Sequence, residues 1–230
     1  MSVLSILYRT GTGKEYPLEL GYGVMKSDMV PVDHAATSEA CKSGCNLYSR
    51  NGGCPPYAPN FEKLCGKEII VLYVKIHTRH YPSRVLAGPY YTRWVFVETF
   101  LTSLTNKIGK RLAEDLGGCF VSSGNCHSCR PKRCAVKEGG KCRNPIARTY
   151  SLEATGVLVT SLMEQCFGIQ LQWWRKQEPS YIPEYMVKVV GVTKKTEIDY
   201  GIIRNSVVQS LPDNVSFQTP ERLEGTLATI

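Results

Sequence analysis

The chemistry in this sequence lies in its ten cysteines, and they are not spread evenly. Four fall between Cys41 and Cys65, five between Cys119 and Cys142, and Cys166 stands apart. The denser group contains Cys126, Cys129, Cys134 and Cys142 in the spacing C-x2-C-x4-C-x7-C, with Pro131, Gly139, Gly140 and Pro145 between and after them. A metal site built from one short segment needs a chain that doubles back and aims several sulfurs inward. Glycine and proline make such reversals easy, whereas a continuous helix could not present all four. Zinc ribbons usually bring together two C-x2-C knuckles from separate hairpins. Only one knuckle exists here and the other cysteines follow in a single run, which favours the sequential ligation of a [4Fe–4S] cluster, with zinc as the alternative.

The second constellation is Cys41-x3-Cys45-x8-Cys54, followed directly by Pro55, Pro56 and Tyr57. Proline after a ligating cysteine fixes φ and turns the chain away from the metal. Asn51-Gly52-Gly53 supplies the turn that returns Cys54 towards Cys41 and Cys45. Cys65 follows Phe61–Leu64, which reads as helical, so its membership stays open. Three thiolates would leave one metal position free for a substrate or small ligand, and four would close the site. Cys119, in a strand, and Cys166, in a short helix, read as small core hydrophobes. His127 sits beside a ligand and points elsewhere, and the four histidines are too scattered for a histidine site.

The apolar fraction of 43% in 230 residues suffices for a real core, so the cysteines need not rescue a miniature scaffold. No apolar run is long enough to span a bilayer, and Met1–Thr10 lacks the charged start and long apolar core of a secretory signal. The expected setting is therefore a reducing cytoplasm, where clustered cysteines signify metal or catalysis more often than disulfides. The formal charge of +8 suggests an anionic partner. It also offsets the negative charge that metal-bound thiolates would carry. Seven basic residues and one acid, Glu138, lie between Cys126 and Arg148. Because these cations interleave with the cysteines, charge compensation is the favoured reading over a docking surface for RNA, a phosphorylated cofactor or an acidic redox partner. Arg143 is the leading candidate for an anion contact, with Arg148 and Arg130 beside it. Neither a Walker loop nor a dinucleotide fingerprint is present.

The elements that must hold these cysteines are partly legible. Glu68–Ile76 is apolar and β-branched, a buried strand. From Arg93 to Asp115, Val97, Leu101, Leu104, Ile108 and Leu112 form one helical stripe, which Thr92 can cap and Gly117-Gly118 ends. Cys119–Ser122 reads as a strand, giving a central βαβ unit. Ser151–Val159 is a short turn or helix, and Ser161 with Glu164 has the spacing of a capping box for a helix ended by Gly168. Ile169–Trp174 and Tyr185–Val192 read as strands, and Asp199–Gln209 as a last strand or docked arm. The adjacent Trp173 and Trp174 must then face opposite ways. Tyr90, Tyr91 and Trp94 read as packing at a helix start rather than a stacking platform. The expected fold class is α/β: a small mixed sheet of three or four strands around the βαβ unit, two or more helices, and cysteine-rich metal-binding loops inserted.

Taken in order, Cys41, Cys45 and Cys54 with Cys54-Pro-Pro-Tyr57, then Cys126 to Pro145, then Ser151-Leu-Glu153-Ala-x-Gly156-Val resemble a family of small cysteine-rich predicted metal-binding proteins of anaerobic bacteria and archaea, a domain of unknown function. The resemblance covers roughly residues 38–192, the expected metal-binding α/β core of a single domain over 1–230, with 193–230 as a C-terminal extension. It implies a cytoplasmic, metal-dependent, iron–sulfur protein and supplies no reaction. The expected function is a protein with one or two [4Fe–4S] clusters that transfers electrons, or performs reductive or sulfur-transfer chemistry at an open iron. Its partner would be a redox protein or a small-molecule substrate, with no membrane involved. The alternative is a zinc-stabilised basic module that binds RNA or another anionic partner.

Overall fold

A computed structural model of the chain describes residues 1–45, 47–129 and 131–218. Its strands are β1 (Ser2–Arg9), β2 (Glu15–Lys26), β3 (Glu68–His77), β4 (Cys119–Val121), β5 (Tyr185–Lys194) and β6 (Val215–Phe217). They form one six-stranded sheet in the order β4-β5-β3-β2-β1-β6, and each neighbouring pair is antiparallel. The α-helices are α1 (His34–Gly44), α2 (Ser83–Leu86), α3 (Tyr90–Leu116), α4 (Val159–Phe167) and α5 (Tyr200–Gln209). The protein is thus of the mixed α and β class.

β3 explains the layering. Its side chains alternate, so Ile70, Leu72, Val74 and Ile76 enter one core while Ile69, Val71 and Tyr73 enter another. A strand covered on both faces reads as one continuous apolar run. The first core lies against α3, whose Val97, Leu101, Leu104, Ile108 and Leu112 are all buried. Removing each such side chain from water is worth about 1.5–3 kcal/mol, so this stripe anchors the helix. Gly117 ends α3 at φ 60°, and its N–H donates to the carbonyls of Ala113 and Glu114. The second core collects Phe61, Val121, Leu152, Val157, Leu162, Met163 and Cys166 on the other face.

Three expectations need correction. β3, α3 and β4 occur where predicted, yet β5 lies between the two strands and pairs antiparallel with both. Among the described strands, β3 and β4 are therefore not adjacent, and every strand pairing is antiparallel. The reason is ladder length: β3 pairs with β5 from Glu68 to His77, whereas β4 offers only Cys119–Val121. Residues 169–174 form no strand, because the chain ahead of β5 is met by side-chain bonding instead. Glu184 N–H donates to Gln172 Oε1 (2.7 Å), and Tyr185 Oη donates to Gln170 O (2.7 Å). Even so, Trp173 is 56% exposed and Trp174 only 6%, so the two indoles do part company. Residues 200–209 form a helix capped by Asp199, with Ile203, Ser206 and Val207 buried at helical spacing.

Elsewhere the helix expected from Ser161 starts earlier, at Val159, with no capping box, and ends as predicted at Gly168 with φ 66°. Of the aromatic trio, Tyr90 packs on the core while Tyr91 and Trp94 are exposed. Residues beyond 193 contribute Ile198, Ile203 and Val207 to the first core and β6 to the sheet.

Candidate metal centre

Both cysteine runs leave the sheet on anchored backbone. Asp33 caps α1 by accepting the Ala36 N–H (2.8 Å), and the Asp33 N–H itself donates to Gly156 O (2.8 Å). The last turn of α1 carries Cys41. Cys45 is the C-cap and donates its N–H to Cys41 O (3.1 Å). An i,i+4 spacing puts both thiols on one helical face. Cys54 closes the next turn: its N–H donates to Asn51 O (3.1 Å), and its Sγ lies 3.6 Å from Asn51 Oδ1. Cys54 O in turn accepts from the N–H groups of Tyr57 and Ala58. The peptide bond between Pro55 and Pro56 is cis.

The second run is a long loop pinched at its neck. Ser122 N–H donates to Tyr150 O (2.7 Å) and Leu152 N–H donates to Ser122 O (3.2 Å), so the chain leaves and rejoins the core at one place. Asn106 of α3 accepts from both the N–H and the hydroxyl of Ser123. Within the loop, Gly140 N–H donates to Ala135 O, and Asn144 Nδ2 donates to Ser128 O (2.7 Å) while lying 3.9 Å from Cys129 Sγ.

The two loops interlock. Residues 51–55 are buried although they form a turn, and the second loop covers them. Gly52 N–H donates to Cys134 Sγ (3.2 Å). Gly53 packs so closely that an added Cβ would stand 2.3 Å from Thr149 O and 2.7 Å from Cys126 Cβ. Arg148 acts as a clamp: it donates to Gly52 O (2.5 Å) and Tyr57 O (2.8 Å), and its guanidinium lies 4.9 Å from the Tyr150 ring centroid. A planar fork serving two carbonyls and an aromatic face is a role lysine cannot fill.

The thiols differ in acidity. Burial first, then the neighbouring charges of Cys45, Cys41 and Cys126, push Cys54 up to about 11. Burial and then Cys45 and Glu153 raise Cys41. Burial also opposes ionisation of Cys126, but hydrogen bonds from Ser128 and Thr149 outweigh it and hold the thiol below its usual range. Cys134 is likewise lowered, because backbone N–H groups of Lys137, Gly52 and Val136 outweigh its burial. The charges of Cys45, Cys41 and Cys126 that raise Cys54 are ones a bound cation would relieve.

Placed against the sequence reading, Cys54 is buried and Cys41, Cys126, Cys129, Cys134 and Cys142 are half-buried, while Cys45 is exposed. Among the described residues, no three Cys, His, Asp or Glu side chains are already drawn into a group tight enough to hold a metal ion. The donors are nevertheless of a kind a soft metal takes: thiols on two interlocked loops, with backbone N–H groups on Cys134 and Cys126. Cys65 turns away, packing on the second core with its Sγ towards Glu62 O. Cys166 is buried as expected. Cys119 is exposed, since it opens an edge strand with a neighbour on one side only. Arg143 is exposed and donates to Arg133 O (2.5 Å), and Arg130 lies outside the described residues. Sequence reasoning missed the burial of Gly52 and Gly53 and the clamping role of Arg148. The Gly-Gly pair was the available signal, since two glycines before a cysteine permit close approach as well as a turn.

The protein belongs to the family described as "Predicted metal-binding protein (DUF2284)", whose match covers residues 24–193. That span contains both cysteine loops together with β3, α3, β4 and almost all of β5. No curated protein and no solved structure matches the chain.

Proposed function

We propose that this metal-binding protein is a cytoplasmic iron–sulfur protein, carrying one or two [4Fe–4S] clusters on Cys41, Cys45, Cys54, Cys126, Cys129, Cys134 and Cys142. Such clusters supply one-electron chemistry over a range of potentials set by their surroundings. The observation that supports this reading is the packing of the Asn51–Cys54 turn against the second loop, with Gly52 N–H on Cys134 Sγ and Gly53 against Cys126. The chain's own residues have clear tasks in this role. Gly52 N–H bonds to Cys134 Sγ, and such bonds to sulfur raise a cluster's potential. Ser128 and Thr149 favour the Cys126 thiolate that ligation requires. Arg148 fixes one loop against the other, so the sulfurs keep their spacing as charge moves. The activity is electron transfer to a redox partner or reductive chemistry on a small substrate. Anaerobic purification tests it: a brown protein with a broad band near about 400 nm, containing iron and acid-labile sulfide, supports the reading. Zinc without iron overturns it.

One observation favours a second reading. Lys132, Arg133, Lys137, Lys141 and Arg143 are all exposed on the second loop, a surface that would suit RNA on a zinc-stabilised module. That reading requires a colourless protein whose RNA affinity falls steeply with salt.

A further inference from the structure

All three tryptophans of the chain, Trp94 of α3 and Trp173 and Trp174 ahead of β5, line one cavity of about 240 Å³. Trp94 is 38% exposed and Trp173 56%, so two of the three indoles are left uncovered in a concavity rather than packed in a core. Sites for small molecules have this character: concave, rich in aromatic side chains, with a few placed polar groups.

The placed polar groups here are Lys188 and Glu98. Along β5, Met186, Val190 and Val192 enter the first core. Alternation puts Lys188 on that same face, where the pattern calls for an apolar residue. Its ammonium donates instead to Glu98 Oε1 of α3, and the two side chains are only 18% and 30% exposed. An ion pair taken out of water in this way is often no more stable than apolar residues of similar size. A local pattern broken without a gain in stability is expected at functional positions. Glu98 has both oxygens engaged, since Oε2 accepts from Thr102 Oγ1 (3.3 Å). Lys188 carries three N–H donors and has one partner among the described residues. Trp174 Nε1 is buried and has none among them. The wall therefore has donors to offer while its carboxylate is already occupied.

We infer that this cleft binds a small, uncharged heteroaromatic molecule, its ring stacked on the exposed indoles and its acceptor atoms turned to Lys188. Drug-sized ligands fill about 300–1,000 Å³, so the smaller volume here suits one or two fused rings. An uncharged ring matches a wall on which the charges of Lys188 and Glu98 already cancel. Such binding needs no metal in the cysteine loops.

Titration of the full chain with hypoxanthine tests this, because every tryptophan lines the cleft and intrinsic tryptophan fluorescence reports on it alone. Hypoxanthine should quench that fluorescence saturably, with a dissociation constant below about 1 mM. Cyclohexanecarboxamide, which has an acceptor and no aromatic face, should not. By calorimetry, Trp94→Ala and Trp173→Ala should each weaken hypoxanthine binding at least about fivefold. The double variant Glu98→Leu/Lys188→Met, which restores an apolar row, should lose hypoxanthine binding and unfold at the same or a higher urea concentration than the wild type. No saturable quenching in the wild-type chain, or equal affinity for cyclohexanecarboxamide, overturns the inference whatever the variants do. Wild-type affinity in the double variant overturns it too, as does a fall in stability that marks the ion pair as structural.

Discussion

Gly53→Ala probes the contact between the two cysteine loops with one methyl group. The added carbon would meet Thr149 O at 2.3 Å, Cys126 Cβ at 2.7 Å and Cys126 N at 3.1 Å. Carbon atoms pack comfortably at about 3.5–4.0 Å, so the turn must withdraw from the second loop by about 1 Å. None of the three obstructing atoms is the far end of a flexible side chain, so local rotation cannot absorb the clash. Gly53 is not among the positive-φ glycines, and the penalty is therefore one of packing rather than backbone strain. Overpacking of this kind costs about 1–3 kcal/mol. The withdrawal would also stretch the 3.2 Å bond from Gly52 N–H to Cys134 Sγ and loosen the Arg148 bonds to Gly52 O. Urea unfolding and metal analysis on the same samples measure both effects, with Gly44→Ala as a control because nothing lies within 4 Å of its added carbon. Gly53→Ala should lower stability by about 1–3 kcal/mol and reduce metal content, while Gly44→Ala does neither. Wild-type stability and metal content in Gly53→Ala would refute the interlocked arrangement.

Arg148→Lys should weaken metal retention and cost about 1.5–3 kcal/mol, the range for hydrogen bonds to a charged group, read by unfolding and by the rate of metal loss to a chelator. Leu101→Ala, at the centre of the α3 stripe, should cost about 2–5 kcal/mol in urea unfolding without changing which metal is bound. In the metal-free chain, Cys126 and Cys134 should be alkylated at lower pH than Cys54 and Cys166, both raised to about 11, as mapped by mass spectrometry after iodoacetamide. The linked stabilities have opposite signs. Lowered Cys126 and Cys134 favour folding above the ordinary thiol range, a contribution lost as pH falls through their folded values. Raised Cys54 favours folding below that range, a contribution lost as pH rises towards about 11.

Local signals carried the readable part of this protein. β3 and α3 were visible because each is a long, regular pattern: the apolar side chains of β3 are all buried, as is the Val97–Leu112 stripe of α3. The cysteine spacing was visible because it is dense and punctuated by glycine and proline. β1 and β2 were missed: Ser2–Arg9 alternates only weakly in burial, and its register is supplied by the hairpin partner. α1 was missed because it buries only Thr37 and is held by its cap rather than by an apolar stripe. α5 was misread because its helical period is short and its buried positions include Ser206. The position of β5 between β3 and β4, and of Gly53 against Cys126, are long-range facts. No spacing along one chain encodes them.

The central claim is that sulfur alone from these loops holds the metal. X-ray absorption at the metal edge of the anaerobically purified chain tests this most directly. The account predicts a first shell of sulfur at about 2.3 Å with iron neighbours beyond it, and a shell dominated by nitrogen or oxygen would contradict it.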